Sequence, residues 1–177
     1  LLAKTVNAVA TTPGRQVQSV AAASFDAWVK YYRPDENTPN ATVSYYLKGA
    51  LVALCFDLTL RQQGRSLDVV LRGLWKHSGG GPITEADIAE VLAQVAGRRL
   101  DAELQAWVHG TGELPVADLL ATLGVRAQAE RAGLAASLGL RLSEGPVSGV
   151  QVKSVLAGSA AAVAGLSAGD ELLAIDG

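Results

Sequence analysis

The sequence is poor in the residues that usually hold metal ions or covalent cross-links. Among its 177 residues there is one cysteine, Cys55, and there are two histidines, His77 and His109. A single cysteine excludes a disulfide within the chain, and a cysteine-based zinc site would need its other ligands from elsewhere. The histidines lie too far apart in sequence to share one helical turn, as paired zinc ligands on a helix must. We expect them to complement the charge of helix ends or to be exposed, and we expect no metal site within this chain.

The sequence also lacks an excess of charge of one sign. It has 15 basic and 17 acidic residues, a net charge of -2, and no stretch that concentrates Lys or Arg. Nucleic acid is therefore not an expected partner. Lys48 and Asp57 interrupt the most apolar run before it reaches the roughly 18 to 20 residues that span a bilayer, so membrane insertion is not expected either. Nothing in the sequence indicates a compartment.

The two ends of the sequence suggest a piece of a longer protein. The sequence begins LLAKTVNAVA, without an initiator methionine, with the pattern of a helix interior and without the features of a signal peptide. It stops on GDELLAIDG, which reads as a strand followed by a turn. We therefore expect further residues on both sides.

Residues 1–124 predict a mainly α, multihelical domain. Its most apolar helix is expected to begin after Ser44, which can cap it, to run to about Gln62, and to be central because apolar residues occupy nearly every side. Asp57 on this helix needs a partner, and Arg61, one turn later, is the nearest candidate. Further helices are expected after Ser66, after Thr84 with Asp87 as a capping box, after Arg99 and after Pro115.

Large apolar residues elsewhere in this domain are expected in its core. Val20, Phe25, Trp28 and Val29 recur at spacings that suit one face of a helix. All three tryptophans, Trp28, Trp75 and Trp107, fall within helical apolar patterns, which favours packing between helices over a stacking platform for a ligand.

After a boundary near residues 124 to 136 the periodicity changes to that of strands. The segments LGLRL, GVQVKSVL and DELLAIDG alternate or run apolar, and GSAAAVAGL between them predicts a short helix capped by Ser159. Residues 125–177 therefore predict a second, β-rich domain.

This second domain resembles a PDZ domain of the bacterial type. The resemblance rests on SLGLRL (137–142) and on VKSVLAGSAAAVAGLSAGDELLAIDG (152–177). It implies that backbone N–H groups of Leu138, Gly139 and Leu140 bind a peptide carboxylate, and that the next strand takes up the peptide as an extra strand. Ser137 stands where many members have another glycine, and the sequence stops before the helix that completes the groove. We therefore expect a C-terminally truncated PDZ domain. The alternative is a domain that only packs against its neighbour and whose groove is incomplete or unused.

The helical domain is similar to the glycyl aminopeptidases, the sixty-first family of metallopeptidases, over GRQVQSVAAASFDAWVKYYRPDENTPNATVSYYLKGALVALCFDLTLR (14–61). That family joins a thermolysin-like catalytic domain to a PDZ domain. The resemblance implies that residues 1–124 are the C-terminal half of such a catalytic domain. It further implies hydrolysis of peptides with small N-terminal residues such as glycine, and a zinc ion in the full-length protein that this fragment does not bind.

Within this stretch the step from Tyr46 to Ala50, Tyr-x-Lys-Gly-Ala, is also similar to the larger aminopeptidase N relatives, in which the tyrosine assists catalysis. A phenol suits that role, because it keeps its proton at neutral pH and can donate to the charge that develops on a carbonyl oxygen. Tyr45 lies about 100° around the helix and is expected to pack beside Tyr46. Gly49 is expected to leave clearance on the face of the helix that carries Tyr46. In the alternative, both tyrosines are core residues and Gly49 is a point where two helices cross.

Two functions stay open on the sequence. The first is a piece of a zinc aminopeptidase, with Tyr46 as catalytic residue and the PDZ-like part binding a peptide or a protein partner. The second is a non-catalytic PDZ-containing interaction protein. Asp35 and Glu36 could approach a substrate amine, but an acidic pair in a loop is more often a turn or a cap. Asn40 lies in the same region and has no assigned role.

Overall fold

The computed structural model describes residues 1–129, 132–144 and 149–174. The predicted fold class is confirmed, because these residues form a multihelical part followed by a small antiparallel sheet with two short helices. The helices of the first part are α1 (Leu2–Ala10), α2 (Val20–Phe25), α3 (Thr38–Ala41), α4 (Tyr45–Arg61), α5 (Leu67–Ser78), α6 (Glu85–Ala96), α7 (Asp101–Leu104) and α8 (Val116–Ala121).

Helix α4 is the centre of the helical part, as the sequence predicts. Ser44 caps it, because its Oγ accepts a hydrogen bond from the N–H of Leu47 at 3.3 Å. Apolar residues on opposite sides of α4 enter two separate core clusters, so its hydrophobic pattern has no single face. One side packs with α5, α6 and α7 through Val52, Phe56, Leu60, Val70, Leu74, Val91, Leu92, Ala96, Leu100 and Leu104. The other side packs with α1, α2 and α8 through Val9, Ala23, Val43, Leu51, Cys55 and Val116.

The helix ends follow the capping signals with one exception. Thr84 and Asp87 form the predicted capping box of α6, and Gly97 ends that helix in a left-handed conformation with φ of 69°. Ser66 precedes α5 but makes no capping hydrogen bond with its side chain. Asp57 of α4 caps α5 instead, because its Oδ1 accepts from the N–H of Leu67 at 2.8 Å. Its Oδ2 accepts from the predicted partner Arg61 at 2.6 Å.

The prediction of one buried face across residues 20–29 is wrong. Helix α2 ends at Phe25. The backbone hydrogen bonds of the turns that follow span three, four or five residues, so the side chains no longer recur with the period of a helix. Ala27 is buried there, whereas Phe25 is 89% and Trp28 80% exposed, and Val29 is exposed as well. Periodicity therefore fails at this point because the helix stops before the pattern does.

The tryptophan prediction holds for one residue of three. Trp107 is half-buried and its ring centroid lies 4.8 Å from that of Phe56 in the core. Trp75, on the outer side of α5, is 70% exposed, and Trp28 is exposed as described above. Helical spacing identifies the face on which a side chain lies, but it does not show whether another element covers that face.

The second part is a three-stranded antiparallel sheet in the order β1-β2-β3, made by β1 (Leu140–Glu144), β2 (Val150–Val155) and β3 (Glu171–Leu172). A short helix, α9 (Leu134–Leu138), precedes β1, and α10 (Ala160–Val163) lies between β2 and β3. Ser159 caps α10 as predicted, with its Oγ accepting from the N–H of Ala162 at 3.2 Å. Leu140, Val152 and Ala161 form a small core of their own. The end of the predicted third strand, residues 175–177, lies outside the described residues.

The side chain of Asn40 links the helical part to the sheet, because it hydrogen-bonds to the backbone in the way that a neighbouring strand would. The Nδ2 of Asn40, in α3, donates to the carbonyl oxygen of Val155 at 2.9 Å, and its Oδ1 accepts from the N–H of Ala157 at 2.8 Å. The two backbone groups lie two residues apart, as do groups that face one edge of a strand. A second link runs from Arg141 Nη2 in β1 to Thr12 Oγ1, at 2.9 Å. The sheet is thus hydrogen-bonded to the helical part at two points.

One stretch of 24 residues, Thr38–Arg61, is long and apolar enough by composition to cross a membrane, despite Lys48 and Asp57. The sequence-based expectation that these two residues shorten the apolar run below that length is therefore wrong. Half of the window is buried inside the protein, and residues between α3 and α4 break the helix near its start. The stretch thus has the packing of a core helix.

Candidate functional site

All four tyrosines of the chain lie in one cluster at the start of α4. The hydroxyl of Tyr32 lies 3.0 Å from that of Tyr46 and 3.2 Å from that of Tyr45. The rings of Tyr45 and Tyr46 lie 4.2 Å apart between centroids, and Tyr31 packs edge-on against Tyr45 at 5.3 Å. Three phenol groups therefore form a continuous hydrogen-bonded set, which we call the phenol trio (Tyr32, Tyr45 and Tyr46).

The start of α4 fixes the position of two of these tyrosines. Ser44 caps the helix and also donates a hydrogen bond from its Oγ to the hydroxyl of Tyr31 at 3.4 Å. Thr42 lies against Gly14, where an added Cβ would overlap the backbone of Thr42, so only glycine fits there. Thr42 Oγ1 also donates to Oε1 of Gln18. The chain just before the tyrosines is therefore held by close packing and by hydrogen bonds.

The trio is open to solvent, and Tyr46 is 57% exposed. The hydrogen bond with Tyr32, and then contact with Tyr45, lowers the pKa of Tyr46, while burial opposes this change. The hydrogen bond between Tyr45 and Tyr32, and next the contact of Tyr45 with Tyr46, raises the pKa of Tyr45 well above its usual value. The neighbouring phenols therefore favour the phenolate form of Tyr46 over that of Tyr45.

Two residues that the sequence analysis pairs with Tyr46 have distinct environments. An added Cβ on Gly49 would meet only Cγ1 of Val20, at an ordinary 3.8 Å, so no close backbone approach requires glycine there. Lys48 is 2% exposed and donates from Nζ to the carbonyl oxygen of Arg15 at 3.1 Å. Desolvation lowers the pKa of Lys48, with Glu113 opposing and Arg15 adding to the shift. Lys48 therefore faces the core rather than the trio.

A cleft of about 530 Å³ lies in the helical part and reaches one of the four tyrosines, Tyr31, with Arg141 of the sheet at its edge. Tyr31, Ser44 and Leu47 line it from the helical part, and Arg141 lines it from β1. Asp35 also lines the cleft, but its Oδ1 already accepts from the N–H of Asn37 and from Oγ1 of Thr38. The turn predicted as the alternative for Asp35 is thus confirmed.

The two histidines are engaged separately. His77 Nε2 lies 2.9 Å from Oδ1 of Asp87, and His109 Nε2 lies 2.7 Å from Oε1 of Glu85, both acids being in the first turn of α6. Within residues 1–129, 132–144 and 149–174 there is no group of three or more His, Cys, Asp or Glu side chains that could hold a metal ion. The described residues therefore do not fit a zinc ion.

The predicted carboxylate-binding residues lie where α9 meets β1. Leu138 ends α9, and Gly139 has φ of 77° with its N–H donating to the carbonyl oxygen of Ala136 at 3.1 Å. The N–H of Leu156 donates to the carbonyl oxygen of Gly139 at 2.8 Å, so antiparallel alternation directs the N–H of Leu140 away from β2. Among the described strands, β1 pairs on one side alone, with β2, and the N–H of Leu140 faces its other side.

Sequence spacing does not single out Tyr32, because its place beside Tyr46 depends on a contact between distant turns. The signal was present, since the four tyrosines occur as two adjacent pairs, Tyr31-Tyr32 and Tyr45-Tyr46. A regular helix through Tyr31 and Tyr32 would direct the two rings to different sides. The irregular turns after Phe25 bring both of them to α4.

Comparison with known protein families gives two matches. Residues 1–52 match the model of the M61 glycyl aminopeptidases, and residues 127–177 match that of the PDZ domain. The first match contains the phenol trio, and the second contains Leu138, Gly139 and Leu140. No curated protein is similar enough to the chain to count as a match.

Proposed function

We propose that this chain, which joins a region of the M61 glycyl aminopeptidase family to a PDZ domain, is part of a zinc aminopeptidase that hydrolyses peptides with small N-terminal residues such as glycine. Tyr46 is its catalytic residue within this chain. The observation that supports this most is the exposed Tyr46 hydroxyl, held by a second phenol at the capped start of a buried helix. The match to the M61 model over residues 1–52 includes this position.

The chemical role of Tyr46 is to stabilise charge. When water attacks the carbonyl carbon of the scissile peptide bond, negative charge develops on the carbonyl oxygen. A phenol that is already oriented donates a hydrogen bond that strengthens as this charge grows. Because its neighbours lower the pKa of Tyr46, the phenol is a stronger donor than an isolated tyrosine while it keeps its proton. Its contribution is therefore present below that pKa and lost as the pH rises through it.

The zinc ion of this proposal is held by residues of the whole protein outside this chain. In such a protein zinc would act as a Lewis acid toward the carbonyl group. The chain described here supplies the phenol donor of Tyr46. We therefore expect no zinc-dependent peptidase activity from the chain on its own. The assay uses peptides with N-terminal glycine in the presence of zinc, and activity that a chelator abolishes would contradict this expectation.

The PDZ domain is proposed to bind the end of a peptide or of a partner protein. The side of β1 that pairs with none of the described strands can accept an extended peptide as an additional strand, and the N–H of Leu140 points to that side. The N–H of Gly139 already has an intramolecular acceptor in Ala136. A carboxylate would therefore bind to Leu140 first, and it would engage Gly139 only after displacing that carbonyl group.

Replacing Tyr46 by phenylalanine tests the catalytic proposal in a protein that carries this chain together with a zinc-binding part. We expect kcat to fall by about 100- to 1,000-fold, the loss typical of one oxyanion donor, with unchanged zinc content. The matched control is Tyr45→Phe, which removes the other phenol bonded to Tyr32 and is expected to keep most of the turnover. Unchanged turnover in Tyr46→Phe would refute the assignment, whereas a zinc-bearing protein without turnover even before substitution would favour the non-catalytic alternative.

A further inference from the structure

Tyr32 is the residue that connects the phenol trio. Its hydroxyl lies within hydrogen-bond distance of both Tyr46, at 3.0 Å, and Tyr45, at 3.2 Å. Its own ring is held from the other direction by Trp28, with ring centroids 5.1 Å apart, and by Tyr31 at 5.3 Å. Tyr32 thus has contacts with two other rings, and its hydroxyl reaches the start of α4.

Tyr46 needs such support because its side chain projects from the first turn of α4 into solvent. Its ring contacts that of Tyr45 on one side, and more than half of its surface is exposed. Within the described residues, the hydrogen bond to its hydroxyl comes from Tyr32. A catalytic donor must be held within about 0.5 Å of its working position, and ring contacts alone leave the direction of the hydroxyl free.

We propose that Tyr32 is a positioning residue for Tyr46: its hydroxyl holds the Tyr46 hydroxyl, with Tyr45 as second partner, in the orientation in which Tyr46 donates to the substrate. The inference rests on the proposed role of Tyr46 and extends it to a residue that neither the Tyr-x-Lys-Gly-Ala step nor the family matches single out. Tyr32 itself need not contact the substrate.

The same geometry has an electrostatic consequence that can be measured without any substrate. The groups that face Tyr46 are Tyr32, Tyr45 and the more distant ring of Tyr31, and in the described part of the chain no charged side chain hydrogen-bonds to it. A phenol that donates to a phenolate stabilises it. Tyr32 therefore makes Tyr46 lose its proton before Tyr45 does, in agreement with the opposite pKa shifts of these two residues.

The first experiment is a pH titration of this chain, labelled with ¹³C at the ζ carbon of tyrosine and followed by NMR. The four signals are assigned from single Tyr→Phe variants. In the unmodified chain Tyr46 should titrate at a lower pH than Tyr45, its neighbour in the trio. A Tyr46 midpoint at or above that of Tyr45 would overturn the inference without any variant of Tyr32.

The second experiment repeats the titration with Tyr32→Phe, which keeps the ring packed on Trp28 and removes only the hydroxyl. The Tyr46 midpoint should rise toward the ordinary value of about 10, and that of Tyr45 should fall toward it. The matched control is Tyr31→Phe, which should move neither, because the hydroxyl of Tyr31 bonds to Ser44 and not to the trio. Unmoved midpoints in a folded Tyr32→Phe chain would refute the inference.

A kinetic comparison in a zinc-bearing protein separates this inference from the proposed function. If both hold, Tyr32→Phe lowers kcat with little change in KM and moves the alkaline limb of the pH profile upward. If the NMR midpoints move but neither Tyr32→Phe nor Tyr46→Phe changes turnover, the link between the two phenols stands and the catalytic role of Tyr46 fails. If Tyr46→Phe abolishes turnover while Tyr32→Phe leaves the midpoints and turnover unchanged, the proposed function stands and the role of Tyr32 is refuted.

Discussion

Lys48 and Gly49 are neighbours on α4 that face different surroundings. Lys48 is buried, and its stem packs in the interior while Nζ reaches the carbonyl oxygen of Arg15. Because burial lowers its pKa, the charged form is disfavoured in the folded state, so this residue makes folding more favourable as the pH rises toward the unfolded pKa of about 10.4. Gly49, by contrast, faces open space beside Val20.

Replacing Gly49 by alanine should therefore stabilise the chain. Alanine is favoured over glycine by about 1 kcal/mol in a helix interior, and its Cβ would meet only Val20 Cγ1 at 3.8 Å. We expect the midpoint of urea unfolding to rise with an unchanged m-value. A lower midpoint would show that the backbone here is more tightly packed than the distances indicate. If the clearance serves substrate binding, the same variant should raise KM in a zinc-bearing protein.

At the scale of elements, Asp57 connects two helices with one carboxylate. It pairs with Arg61 one turn along α4 and accepts the N–H of Leu67 at the start of α5. Burial alone would raise the pKa of Asp57, but the hydrogen bond from Leu67 and the pairing with Arg61 together outweigh burial and lower it. The position of α5 relative to α4 therefore depends on a capping side chain that belongs to the preceding helix, and not on Ser66.

Asp57→Ala should cost about 1 kcal/mol of unfolding free energy at neutral pH, the usual loss for an N-cap. Asp57→Asn, which keeps an acceptor for Leu67 but loses the ion pair, should cost less. Since the folded pKa of Asp57 is depressed, its contribution is present above the unfolded value of 3.8 and lost as the pH falls below it. Urea titrations at pH 7 and pH 3 measure this, and a cost of Asp57→Ala that is equal at both pH values would contradict it.

At the scale of the whole molecule, the sheet is attached to the tyrosine-bearing part by Asn40. Strand β3 is short and pairs only with the start of β2. The Asn40 amide bonds to the carbonyl oxygen of Val155 and the N–H of Ala157 at the other end of β2, where β3 does not reach. Asn40 lies in α3, immediately before the capped start of α4. The sheet and the phenol trio are thus connected through Asn40 and a few residues of backbone.

Asn40→Ala should loosen this attachment without unfolding either part. The amide of Ala157 loses its acceptor, so its hydrogen exchange should accelerate by roughly 3- to 10-fold. The amide of Ser167 provides the control within the same domain, because its N–H donates to Oδ2 of Asp170 and not to the helical part. Equal acceleration of both amides would indicate general destabilisation, and no change at Ala157 would contradict the attachment.

Local signals predicted more of this molecule than long-range ones. The caps at Ser44, Thr84 and Ser159 and the pair of Asp57 with Arg61 depend on residues a few positions apart, which a sequence displays directly. The exposure of Phe25 and Trp28 and the bond of Tyr32 to Tyr46 depend on where distant turns meet. Spacing rules carry no information on such meetings, and for this reason the position of Tyr46 could be predicted while its partner could not.

The clustering of the tyrosines also has an optical consequence. Because all four tyrosines of the chain lie together, its entire phenol absorbance in the ultraviolet arises at the start of α4. Trp28 lies close enough to Tyr32, at 5.1 Å, to receive excitation energy from the trio, whereas Trp107 packs against Phe56 in the core. The unlabelled protein therefore carries its own chromophore at the start of α4. Any molecule that displaces water from the tyrosine cluster should alter the ultraviolet absorption spectrum of the phenols.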